Sequence, residues 1–124
     1  MPLAQAATKA ASGVIELQTP KRTVLAQPAE IVALRADVNF TRVHVANQPE
    51  VVIWRALAHV ESLLPSPPFP RIGRSLIVNR NRLRNTEIQS RSSALVTLQG
   101  MSEPLILGRA AAPRLFEVLT EDKS

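Results

Sequence analysis

Phe69-Pro70-Arg71-Ile72-Gly73-Arg74-Ser75-Leu76-Ile77-Val78-Asn79-Arg80-Asn81-Arg82-Leu83-Arg84 interleaves arginines with a short apolar run. Leu76-Ile77-Val78 must face a core, since a continuous triplet of large aliphatic side chains gains most from leaving water. From Arg71 to Arg91 there are six arginines and one acid, Glu87. Such a cluster either meets something anionic or bears its own repulsion in water. Pro70 and Gly73 mark irregular backbone, so Arg71 and Arg74 are expected to project from a loop. Arg80, Arg82 and Arg84 alternate, and if extended they form a stripe on one side, a secondary grip for phosphates.

The surrounding composition narrows what that cluster can do. With 124 residues and 45% hydrophobic side chains, the chain has room for one domain with a single core. Aromatics are only 3%, so Val, Ile, Leu and Ala must fill the interior. Single-strand binders that stack bases need several exposed aromatic rings, which leaves double-stranded DNA as the better match to the arginines. The formal charge is +5 and mostly arginine, the residue suited to bidentate contacts with phosphate or guanine. A solvated basic surface is the plain alternative, and the local excess between Arg71 and Arg91 argues against it. There are no cysteines, which excludes disulfides and thiolate metal sites. No apolar run reaches the length of a membrane span and no signal-peptide pattern opens the chain, so no membrane insertion is expected and a cytoplasmic location is the default.

Catalysis is unsupported. His44 lies in an alternating stretch and His59 in a helical one, and each reads as a partly exposed surface residue. His59 and Glu61 are two apart and do not share a helical face. Ser75, Ser92 and Ser93 have no nucleophile-elbow context, and the four glycines are scattered. No catalytic residue, metal site or cofactor is expected.

Outward from the arginine stretch, β patterns dominate. Met1–Ser12 is Ala-rich, lacks large apolar residues and reads as a mobile tail, with a weakly held helix as the alternative. Residues 1–20 thus form a tail with one short strand at Val14–Leu17, and 21–120 form the domain. Strands are expected at Arg22–Ala26, Ile31–Ala36, Phe40–Val45 and Glu50–Ile53, with Asp37-Val38-Asn39 and Asn47-Gln48-Pro49 as turns. From Arg55 the period changes: Leu57, Val60 and Leu64 share a helical face until the prolines at 65, 67 and 68. Asn85–Ser90 and Ala94–Gln99 form a hairpin through Arg91-Ser92-Ser93, and Leu105–Leu107 adds a strand. Ala111–Thr120 reads as a closing helix with Pro113 in its first turn. The expected fold is mainly β, with about seven or eight short strands, one mid-chain helix and one C-terminal helix.

Four stretches resemble the LytTR family of DNA-binding domains. Arg71-Ile72-Gly73-Arg74-Ser75-Leu76-Ile77-Val78-Asn79 is similar to its signature, Arg-hydrophobic-His-Arg/Lys-Ser-aromatic-hydrophobic-Val-Asn. Ile31–His44 resembles its strand–loop–strand, Arg55–Pro65 its helix ending in Leu-Pro, and Leu105–Arg109 its closing strand and turn. The resemblance covers roughly Arg22 to Leu119, in order. It implies an elongated stack of antiparallel sheets whose loops enter successive major grooves of double-stranded DNA, and a sequence-specific transcription regulator.

It also implies roles. Arg74 and Arg109 match base-contacting positions. Asn39 or Phe40 matches a third in the first loop, with Asn39 preferred because an amide pairs bidentately with adenine. Arg71, Ser75, Asn79 and Arg42 match phosphate contacts or loop supports, and for Asn79 turn capping is the alternative. Gly73 replaces a histidine, Leu76 an aromatic residue and Gly108 a serine, while Arg35 and Val38 stand where an acid and a glycine are usual. About 20 residues precede the first matching strand, too few for the receiver domain many members carry. The expectation is a stand-alone domain or a fragment of a longer regulator, acting alone, as a homodimer or with a partner regulator. The competing expectation is a protein-interaction module that modulates such a partner and has little DNA affinity of its own.

Overall fold

The structure, a computed structural model, describes residues 7–10, 12–65 and 68–121. In chain order the strands are β1 (Ala7–Lys9), β2 (Ile15–Gln18), β3 (Thr23–Ala26), β4 (Ile31–Ala36), β5 (Thr41–Val45) and β6 (Val51–Ile53). Helix α1 (Leu57–Glu61) follows, then β7 (Arg71–Gly73), β8 (Leu76–Val78), β9 (Leu83–Ser90), β10 (Ser93–Leu98), β11 (Leu105–Leu107) and α2 (Ala111–Glu121). Single 3₁₀ turns occupy Pro28–Glu30 and Arg80–Arg82.

The strands form three antiparallel sheets, ordered β1-β2-β3, β6-β5-β4-β8-β7 and β11-β10-β9. The five-stranded sheet lies in the middle and is dry on both faces at its centre. Ile31, Val32, Ala33 and Leu34 of β4, and Leu76, Ile77 and Val78 of β8, are all buried. Continuous apolar runs are what two-sided burial requires, whereas a half-buried strand alternates. On one face Ile31, Leu34, Val43, Val51 and Ile53 pack against Ile15, Leu17 and Val24 of the first sheet and Leu57 and Val60 of α1. On the other, Val32, Ala33, Ile72 and Val78 pack against Val96, Leu98 and Leu107 of the third sheet and Leu115 of α2. Consecutive Val32 and Ala33 share one face because the register of β4 on β5 shifts between Ile31 and Ala33. That bulge inserts one residue and restores Leu34 to the opposite core.

Two polar side chains fasten this arrangement. Asn79 is 1% exposed. Its Nδ2 donates to Ile31 O at 2.8 Å, and its Oδ1 accepts from Asn81 N at 3.0 Å to cap the 3₁₀ turn. Arg82 donates from Nε to Ala29 O at 2.7 Å and from Nη1 to Gln99 O at 3.0 Å, clamping the turn before β4 to the end of β10. Next to it, Gly100 has φ +99°, and a Cβ there would lie 2.8 Å from Ala46 Cβ, so only glycine lets these turns meet.

Three details depart from the sequence expectation. Among the described residues there are eleven strands, because the arginine stretch is itself the β7–β8 hairpin and not an open loop, and β1 adds one more. Arg80–Arg82 is a 3₁₀ turn, so the extended stripe does not form. In the segment read as a tail, Ala7–Lys9 pairs with β2 and Ala7 is buried. What anchors it is remote: His59 of α1, with Nε2 protonated, donates to Ala7 O at 3.0 Å. Residues 1–6 lie outside the described residues.

Replacing Asn79 with alanine leaves Ile31 O and Asn81 N–H without their partner inside the fold. The expected cost is about 1–3 kcal/mol, read as a lower urea midpoint at unchanged slope.

Candidate nucleic-acid interface

The candidate interface is built at one end of the middle sheet. At that end β4 finishes at Ala36, the chain reverses through Asp37-Val38-Asn39-Phe40, and β5 starts at Thr41 opposite Ala36. Asp37 N donates to Phe40 O at 2.8 Å and closes the loop. The Asp37 carboxylate accepts from Val38 N at 2.8 Å and from Arg42 Nε at 3.2 Å. The Val38 N–H foremost, then Arg42, hold that carboxyl below its ordinary pKa. Arg42 also donates to Glu50 Oε1 at 2.9 Å, and its guanidinium lies 5.3 Å from the centre of the Phe40 ring. Glu50 first and Asp37 second raise its pKa further. Asn39 and Val38 remain at the exposed tip, and the Asn39 side chain makes no hydrogen bond to the other described residues.

The β7–β8 turn, Arg74-Ser75, reaches the same end because β8 pairs with β4 through Arg35↔Leu76 and Leu34↔Ile77. Ser75 O accepts from Ala36 N at 2.8 Å. Arg71 lies behind this turn and fixes its shape. It donates to Gly73 O at 3.3 Å, to Arg74 O at 2.6 Å and to Glu61 Oε1 of α1 at 3.1 Å. The Arg74 side chain is exposed and has no polar partner among the described residues.

The third turn, Gly108-Arg109-Ala110, precedes α2, whose Ala112 N donates to Gly108 O at 3.0 Å. Helix α2 packs on β7, and a Cβ at Gly73 would lie 3.8 Å from Ala111 Cβ. The turns of Arg74 and Arg109 therefore adjoin, and a concavity of about 580 Å³ lined by Arg71, Gly73, Arg74, Ala110 and Arg114 lies where they meet. Arg109 is exposed and, like Arg74, has no polar partner among the described residues.

The fold thus brings Asn39, Phe40, Arg42, Arg71, Arg74, Ser75 and Arg109 together. It separates Asn79, Arg80 and Arg82 from them, because these follow Val78, which pairs with Ala33 towards the other end of β4. That is roughly one strand length away, about 17 Å. Asn79 is the buried turn cap, and the Arg82 guanidinium is committed to two backbone carbonyls. Asn79 is too buried to grip phosphate, and Arg82 has two of its N–H groups taken within the fold. Three further residues, to which the sequence reading gives no DNA-contacting role, stand at this end of the sheet. Arg35 closes β4, is exposed and has no polar partner among the described residues. Trp54 and Arg55 follow β6, whose Ile53 pairs with Thr41. Thr41 Oγ1 donates to Arg55 O at 2.8 Å, holding that corner against the start of β5. The outward phase of Val52 and Trp54, between the inward Val51 and Ile53, is the signal that could have shown Trp54 leaving the core.

Beside Arg74 a groove of about 770 Å³ runs between the uncovered part of the middle sheet and the third sheet, lined by Arg35, His44, Glu50 and Glu103 among others. His44 Nε2 is 2.7 Å from Glu50 Oε2, a contact that favours imidazolium. Burial outweighs it and pushes the His44 pKa below its usual value, with Arg35 and Arg42 adding to the fall. Among the described residues no three His, Cys, Asp or Glu side chains cluster to hold a metal, and no helix is long and apolar enough to cross a membrane.

Comparison with known proteins agrees with this architecture. The family model described as the LytTr DNA-binding domain matches residues 21–120. Among solved structures, a LytTr DNA-binding domain from Bacillus cereus is similar, with 23% sequence identity and a TM-score of 0.72 over 86% of this chain and 96% of that one. No curated protein matches.

A histidine whose pKa is lowered by folding favours the folded state only while neutral. Its contribution is complete above the unfolded value of about 6.5 and is lost as pH falls through the lower folded value. Urea unfolding across pH 5–8 should show stability falling on the acid side, and His44→Gln should flatten that limb.

Proposed function

Since the chain belongs to the LytTr family of DNA-binding domains, we propose that it is a sequence-specific module of a transcription regulator, reading major grooves of double-stranded DNA through loops. The observation that carries this reading is the pair Arg74 and Arg109. Both are exposed on adjoining turns without polar partners among the described residues, while Arg42, Arg71 and Arg82 are spent on carboxylates and carbonyls. A rigid turn that presents an uncommitted guanidinium suits the bidentate contact to guanine O6 and N7. Asn39, at the tip of the first loop, pairs in the same manner with adenine N6 and N7.

The neighbouring residues then divide by role. Arg71 and Arg42 hold the second and first loops in shape, Phe40 supports the first under the Arg42 cation, and Ser75 ties the second to β4. Arg35 is the nearest candidate for a phosphate contact at this end. Positive net charge adds long-range attraction to the duplex, which orients nothing by itself.

The test is selection of bound duplexes from a random pool, followed by titration of the winner and a scrambled duplex across salt. Arg74→Ala and Arg109→Ala should each remove about 1–3 kcal/mol of discrimination. Arg35→Ala should weaken both duplexes alike and reduce the salt slope by about one unit. Equal loss on both duplexes for Arg74→Ala would falsify its base-reading role. A stable complex with another regulator and no retardation of any duplex near physiological salt would replace this reading with that of an interaction module.

A further inference from the structure

Five large apolar side chains are mostly exposed among the described residues: Leu25, Val38, Trp54, Ile88 and Ile106. Two of them, Val38 at 88% and Trp54 at 59%, stand at the reading end of the middle sheet. Val38 precedes Asn39 in the first loop. Trp54 comes from a separate element, the corner between β6 and α1, and its ring centroid is 5.8 Å from that of Phe40 in the same loop. The two rings are tilted by 39°, and the Arg42 guanidinium lies 5.3 Å from the centre of the Phe40 ring. Thr41 Oγ1 holds the corner through Arg55 O at 2.8 Å. The indole thus lies against the loop that carries Val38 and Asn39.

We infer that Trp54 is a further DNA contact from this fourth element, and that together with Val38 it reads a thymine methyl group in the major groove. The inference rests on the proposed reading of DNA through these loops. An adenine read by Asn39 is paired with thymine, whose 5-methyl projects into the same groove. Apolar side chains beside an adenine-reading amide are placed to meet that methyl or that of a neighbouring thymine. Water is then released from the indole, from Val38 and from the methyl together.

Trp54 is the sole tryptophan of the chain, so its emission reports on this contact directly. Addition of the selected duplex should change the emission and protect it from acrylamide quenching. Each thymine of the duplex is then replaced in turn by uracil, which keeps the pairing edge and removes the methyl. One replacement should weaken the wild-type chain by about 4-fold, the worth of one buried methyl. The same replacement should leave Trp54→Ala, already weakened, without further loss. Trp54→Phe, checked for folding by circular dichroism, should retain part of the uracil penalty. Retardation of the duplex with unchanged emission overturns the contact. A changed emission with a flat uracil scan places the indole on sugar and overturns the methyl reading. If no duplex is retarded at all, the underlying DNA reading fails and this inference fails with it, an outcome distinct from the other two.

Discussion

Ile31–Leu34 and Leu76–Val78 lie side by side with both faces dry, and the position of the turns at the Ala36 end of the sheet depends on that pairing. Each strand is too short to be stable alone, and each gains from apolar layers on both sides. Because β4 and β8 run antiparallel with Arg35 opposite Leu76, the end of one and the start of the other are brought level. Two loops about forty residues apart in sequence thereby project together. The third arrives by packing, since α2 settles on β7 with Ala111 beside Gly73. A slip of one residue in the β4–β8 register would exchange the two cores and turn the exposed side chains of this end away.

The arginines share a charge and differ in what they can do with it. Arg71 and Arg82 each donate to at least two groups of the protein, and Arg42 joins two acids and an aromatic ring. A guanidinium that spends two or three of its five N–H donors inside the fold is held in place by them and is less free to turn to a base edge. Arg35, Arg74 and Arg109 keep their donors, and all three face solvent. The acids follow the same division. Asp37, Glu50 and Glu61 each pair with an arginine that supports a loop, so their negative charge strengthens the frame beside the cations left open.

Much of this was legible in the sequence, and the misses have physical causes. Alternation marks β5, the apolar runs Ile31–Ala36 and Glu50–Ile53 mark β4 and β6, and the apolar face of 111–120 marks α2. The resemblance to LytTR domains supplied the order of elements and the prominence of Arg74 and Arg109. It could not divide the arginines, because the carbonyls that fill Arg82 lie 53 and 17 residues away. Asn79 was left between DNA and turn capping until its amide was placed within 2.8 Å of Ile31 O. Ala7–Lys9 reads as tail since alanine offers little area, and the side chain that adds to its pairing with β2, His59, sits on α1, 52 residues away. The sequence reading gives Trp54 no role, although its phase with Val52, opposite to Val51 and Ile53, already turns it away from the core.

The distance in sequence between β4 and β8 has a consequence for partly folded chains. Local turns such as Asp37–Phe40 can close early, but the junction of Ser75 O with Ala36 N waits for a loop of nearly forty residues to close. Until then the polypeptide carries its full +5 charge while Arg35 and Arg74 are not yet held at one end of the middle sheet. Charge is a property of composition and is present at every stage of folding, whereas the arrangement of these arginines depends on contacts between residues far apart in sequence.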